Sequence, residues 1–88
     1  MSKNLIIDGF KYIEVDPNKY SGKPVIKNTR VTVEAVLESL GYGWDIKEVS
    51  NGYNVPVEAV QEAIRFALDL IRKVAFMGLE DVTHTFSS

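Results

Sequence analysis

The sequence predicts a mainly α fold: a three-helix bundle of helix-turn-helix shape, preceded by short N-terminal β-strands or hairpins. Three observations predict it. Two short stretches, Thr32 to Leu40 and Asp45 to Asn51, each open on a capping residue and run into glycine. Pro56 then introduces a longer stretch in which apolar residues recur every three or four positions as far as Met77. Before residue 32 the pattern changes to small groups of β-favouring residues, broken by Asp-Gly, Asp-Pro-Asn and Asn-Thr.

The first element, "NLIIDGFKYIEVDP", reads as strand, turn, strand. Asp8-Gly9 supplies the turn, and Asp16-Pro17-Asn18 ends the second strand. "PVIKNTRVTV" reads as a second, shorter hairpin. Val25 and Ile26 lead in, Val31 and Val33 lead out, and Asn28-Thr29 makes the turn. Asparagine enters the left-handed region more readily than most residues with a Cβ, so it can stand where glycine would be easier.

Thr32 is the expected N-cap of the first helix, with Glu34 in its first turn, where the helix dipole favours a carboxylate. Val33, Val36, Leu37 and Leu40 fall at helical spacing, and Gly41 to Gly43 ends the run. Asp45 followed by Glu48 forms a capping box, with Trp44 and Val49 placed for a hydrophobic staple. That second helix is about two turns long and is expected to end near Asn51-Gly52.

Pro56 suits the first position of the third helix, expected to run to about Phe76. Val57, Val60, Ile64, Ala67, Leu68, Ile71 and Ala75 make one apolar face, expected to pack on the two shorter helices. Ala63, Phe66, Leu70, Val74 and Met77 make a second, adjoining face. It is expected to meet a partner or a second copy, because so short a chain has few residues left to cover it; the competing expectation is that the N-terminal hairpins cover it. The expected organisation is one domain: a hairpin region over 1–32, the helices over 33–77 and a loose tail over 78–88.

Totals narrow the function classes. The chain has 88 residues, 45% hydrophobic and 25% charged, the balance of one ordinary globular domain. It has no cysteine, which excludes disulfides and thiolate chemistry. Its longest apolar region is broken by Arg65, Asp69, Arg72 and Lys73, and residues 5–7 are too short a run for a signal peptide. A cytoplasmic protein is expected, with no membrane span. The net charge of -2 is uneven: residues 1–32 carry six basic and three acidic side chains, residues 33–88 four and nine. A basic N-terminal third suits a nucleic-acid contact.

Catalytic patterns are weak. Gly22-Lys23 looks like the start of a phosphate loop, but Pro24 follows and removes a donor that such a loop needs. The single histidine, His84, has Glu80 four residues before it, which falls short of a metal site. Asp8, Glu14 and Asp16 lie on or beside strands, and no nucleophile–base–orienter set is visible. The expectation is a protein that is not an enzyme, with no cofactor, no metal and no small-molecule substrate.

"DIKEVSNGYNVPVEAVQEAI" has the layout of a helix-turn-helix, with Val55 as the buried turn residue. The start of the second helix in that motif ordinarily enters the major groove. Here it carries Glu58 and Glu62, which a polyanion repels, leaving Gln61 and Arg65 as base readers. Lys23, Lys27 and Arg30 are the better DNA-contact candidates, as a ribbon tip or arm. For Arg30 an ion pair with Glu34 or Asp16 is the competing expectation.

"YIEVDPNKYSGKPVIKNTRVTVEAVLESLGYG", followed by "DIKEVSNGYNVPVEAVQEAIRFAL", resembles the family called domain of unknown function 433. The carrying residues are Gly22-Lys23-Pro24-Val25-Ile26, Thr29-Arg30-Val31 and Val33, over a span from about Tyr12 to Leu68. Asn28 departs from the family, which usually has glycine there. The resemblance implies a homeodomain-like three-helix domain, a homodimer and an antitoxin-like role in a toxin–antitoxin pair, beside a PIN-like ribonuclease and possible operator DNA. An acidic second half suits cover over a basic RNA-binding cleft. The competing expectation is a homodimeric interaction module that binds no DNA.

Overall fold

The computed structural model describes residues 9–86, with side chains as far as residue 75. Along the chain come β1 (Ile13–Glu14), a 3-10 turn (Tyr20–Gly22), β2 (Val25–Ile26), α1 (Val33–Gly41), α2 (Ile46–Tyr53) and α3 (Val57–Phe86). The mainly helical class with a small strand pair ahead of the helices is as the sequence predicts.

β1 and β2 pair antiparallel, with Ile13 opposite Ile26 and Glu14 opposite Val25. Residues directly opposite share a face of the sheet, so Ile13 and Ile26 enter the core together, both almost fully buried. The strand expected over Tyr12 to Val15 therefore finds its partner in β2, across the 3-10 turn. Residues 5–7 and Asp8, expected to form the first hairpin's other limb, lie outside the described residues.

The second hairpin is present in reduced form. The Ile26 N–H donates to the Val31 carbonyl at 2.9 Å, and Val25 bridges Thr32. Val33 does not extend that limb. Its N–H donates to the Pro24 carbonyl at 3.0 Å and the helix begins there. Thr32 caps α1 as expected, its hydroxyl accepting from the Ala35 N–H at 3.0 Å. One turn later Val36 is fully buried.

α2 opens on the expected capping box. The Asp45 carboxylate accepts from the Glu48 N–H, and the Glu48 carboxylate from the Asp45 N–H, each at 2.8 Å. The helix ends at Tyr53, with Asn54 as its left-handed cap at φ 59°. Trp44, expected in a hydrophobic staple with Val49, is half-exposed and lies along α2. Its ring stacks on Tyr53 at 6.4 Å and lies over Gly52, where a Cβ would come within 2.8 Å of it. Gly52 thus serves close approach inside the helix, and the turn lies beyond it.

The α2–α3 connection is tight. Val55 donates its N–H to the Ser50 carbonyl, and the Ser50 hydroxyl donates back to the Val55 carbonyl. Val55 is buried, as the helix-turn-helix layout requires. Pro56 stands one place earlier than expected: its carbonyl accepts from Ala59 and Val60, so it precedes the first helical residue. Ser39 and Tyr53 join α1 to α2 through their hydroxyls, 3.0 Å apart.

α3 is longer than the sequence reading allowed. It has 30 residues and runs to Phe86, well into the segment 78–88 expected as a loose tail. The reason is legible afterwards: Leu79, Val82 and Phe86 continue a three- and four-residue spacing, and a single interior glycine, Gly78, costs a helix only about 1 kcal/mol.

Candidate functional surfaces

Sequence reasoning placed Glu62 among residues aimed outward at DNA. The structure places its carboxylate indoors. One oxygen accepts from the Tyr12 N–H at 2.7 Å, the other from the Lys11 N–H at 2.9 Å, and Glu62 is only 6% exposed. This clamp fastens the chain ahead of β1 onto α3. Phe10, carried by that segment, then sets its ring edge-on to Phe66, 5.5 Å between centroids. A single acidic residue in an amphipathic pattern looks like surface, so nothing in the spacing signalled this role.

The clamp decides which face of α3 is covered. Ala63 is fully buried and Phe66 nearly so. Both were expected at a partner interface, and both belong instead to the domain's own core, against which Phe10 packs. Leu70 and Val74, on the same expected face, are exposed, and the Met77 side chain lies outside the described residues. The face expected to pack inward divides too. Val60 is fully buried, but Ile64, Leu68 and Ile71 are 38, 43 and 64% exposed, and Ala75 is exposed. Among the described residues Phe66 is the last buried one on α3. Beyond it the helix continues for about 30 Å at 1.5 Å per residue.

The outcome is an apolar strip: Ile64, Leu68, Ile71 and Ala75 at four-three-four spacing, with Leu70 and Val74 alongside. Arg65 and Arg72, seven residues apart, lie one position from Ile64 and Ile71 along the same rim. Solvated apolar side chains in such a row are costly to leave bare.

The basic candidates scatter. Lys23 is 3.5 Å from Glu34, an exposed pair that ties β2 loosely to α1. Arg65 is 3.7 Å from Glu62, with its guanidinium 5.9 Å from the Phe10 ring. It therefore supports the clamp, while Gln61 is exposed beside it on α3. Lys27 and Arg30 are exposed on either side of the Asn28–Thr29 tip. Neither Glu34 nor Asp16 pairs with Arg30, since Glu34 takes Lys23 and the Asp16 carboxylate accepts from the Asn18 N–H.

The tip itself is firm. Asn28 has φ 64°, and the Thr29 N–H donates to the Ile26 carbonyl at 3.1 Å. The Thr29 hydroxyl donates to that same carbonyl and accepts from the Val31 N–H. A left-handed third residue is what a type II turn requires, and asparagine supplies it here.

Among the described residues no three His, Cys, Asp or Glu side chains group as metal ligands, and no helix is long and apolar enough to cross a membrane. Glu80 and His84 lie outside the residues whose side chains are described.

The model of a family described as protein of unknown function (DUF433) matches residues 13–67, more than half of the chain. The matched span covers β1 through the buried part of α3 and stops just before Leu68. No curated protein and no solved structure matches the chain.

Proposed function

The chain belongs to the DUF433 family, and from that premise we propose that it is an antitoxin-like interaction module whose long helix docks onto a partner protein, a nuclease of the PIN kind. The observation that carries the reading is the bare strip of Ile64, Leu68, Ile71, Leu70 and Val74 on α3. Its rim indicates the occupant. Arg65 and Arg72 suit a groove edged by carboxylates, and a nuclease that holds metal ions with clustered carboxylates offers such an edge. A second copy laid antiparallel on the strip would bring Arg72 against the other copy's Arg65, like charge against like.

A nucleic-acid contact accompanies this role. Lys27 and Arg30 stand out from a firm tip, where they can neutralise phosphates of operator DNA. Gln61 remains open for a contact, while Lys23 pairs with Glu34 and Arg65 lies on the rim of the apolar strip.

The second reading is a homodimeric module that binds no DNA. The four-three-four spacing of Ile64, Leu68, Ile71 and Ala75 favours it, because that is the period of a coiled-coil seam.

Co-expression with the product of the adjacent gene tests the first reading. That product should arrest growth alone, and this chain should relieve the arrest. A harmless neighbour, together with a dimeric mass in solution, would support the second reading. Operator binding should weaken steeply as salt rises, and no shift at low salt removes the DNA contact.

A further inference from the structure

A cavity of about 300 Å³ lies beside the Asn28–Thr29 tip, lined by Glu14, Lys19, Tyr20, Asn28, Thr29 and Arg30. The backbone around it is unusual. Tyr20, Ser21 and Asn28 hold φ at 51, 59 and 64°, three of the four positive-φ residues with side chains among the described residues. For a residue as bulky as tyrosine this is a true outlier, and such outliers gather where a ligand is held. The core has no need of Tyr20, whose side chain is 43% exposed. The strained turn brings Tyr20 to the cavity wall.

The lining divides by chemistry. Thr29 is committed to the tip, its hydroxyl bonded to the Ile26 carbonyl and the Val31 N–H. The lining residues left for a ligand are Tyr20, Arg30, Asn28 and Glu14, whose charge Lys19 partly offsets at 3.7 Å. A bare phosphate would meet Glu14 and be repelled. A nucleotide uses every part: a ring to stack its base, a cation for its phosphate, and a carboxylate to accept from an exocyclic amine. A volume of about 300 Å³ is at the small end for ligand sites, room for one such unit. A base inside a duplex cannot reach into a cavity, whereas an unstacked one can.

We propose that this cavity holds one unpaired nucleotide of a single strand, its amino-bearing base stacked on Tyr20 and donating to Glu14, its phosphate on Arg30. Lys27, across the tip, follows the strand onward. The inference rests on the nucleic-acid half of the proposed function and replaces duplex by single strand there. It is independent of the partner strip on α3.

The test titrates the full chain with labelled oligocytidylate and oligouridylate of equal length, with duplex operator DNA, and with cytidine monophosphate as competitor. Oligocytidylate should bind about tenfold tighter than oligouridylate, the worth of one hydrogen bond to a charged group. Glu14→Gln should shrink that preference. Tyr20→Leu and Arg30→Ala should each weaken strand binding by about tenfold or more, with circular dichroism and thermal unfolding confirming that the variants fold. Duplex bound while strands are not would overturn this inference and leave the operator contact standing. No binding of either would remove both. Strand binding indifferent to Tyr20→Leu and Arg30→Ala, or the mononucleotide bound as tightly as the strand, would also overturn it.

Discussion

Replacing Glu62 with alanine removes the acceptor of two backbone N–H groups, those of Lys11 and Tyr12. Hydrogen bonds to a charged group contribute about 1.5–3 kcal/mol each. Both N–H groups are part-buried, so water recovers some of the loss and the lower end applies, about 3 kcal/mol for the pair. Total stability for a domain of this length is about 5–13 kcal/mol. The substitution should therefore cost a quarter or more of it, and lower Tm by about 12–24 °C at about 4–8 °C per kcal/mol. Arg65→Ala is the control, because Arg65 reaches Glu62 only at 3.7 Å from an exposed position. It should cost about 1 kcal/mol or less. Urea unfolding of the three proteins, followed by circular dichroism, measures both differences. Amide exchange should also speed up at Lys11 and Tyr12 in Glu62→Ala alone. A loss below about 0.5 kcal/mol, or a loss matched by Arg65→Ala, would refute the clamp.

Two further predictions test local geometry. Asn28→Gly should leave stability unchanged or raise it slightly, because Asn28 sits at φ 64°, whereas Asn28→Val should cost about 1–2 kcal/mol in urea unfolding; equal effects would contradict the left-handed tip. Gly52→Ala places a Cβ within 2.8 Å of the Trp44 ring, so the ring must leave Tyr53. The emission of Trp44, the chain's single tryptophan, should shift to the red, and an unchanged spectrum would show that the ring does not lie over Gly52.

The short helices were legible because their signals are local. Thr32 and Asp45 each cap the residue three places on, and that relation is written in the sequence itself. Val55 and the Asn28 turn were legible for the same reason. What the sequence hid depends on contacts far along the chain. Glu62 answers residues 50 and 51 positions away. Once Phe10 is drawn onto Phe66, the covered side of α3 is fixed. Periodicity located two apolar stripes on that helix but could not say which one the N-terminal segment would take. It therefore put Ala63 and Phe66 outside and Ile64, Leu68 and Ile71 inside, the reverse of what is found. The helix end was missed because Gly78 and the polar residues after it look like a stop, while the spacing of Leu79, Val82 and Phe86 continues. The cavity wall was missed because Tyr20 and Arg30 come together only when the 3-10 turn and the hairpin tip fold side by side.

The apolar strip on α3 is the feature on which the functional reading turns. Its most direct test is the double variant Leu68→Asp/Ile71→Asp, co-expressed with the adjacent gene's product and scored for growth. Both positions are exposed, so folding should change by about 0.5 kcal/mol or less for each. Growth rescue should vanish while the circular dichroism spectrum stays that of the native chain. A folded double variant that rescues growth as fully as the native chain would contradict the account.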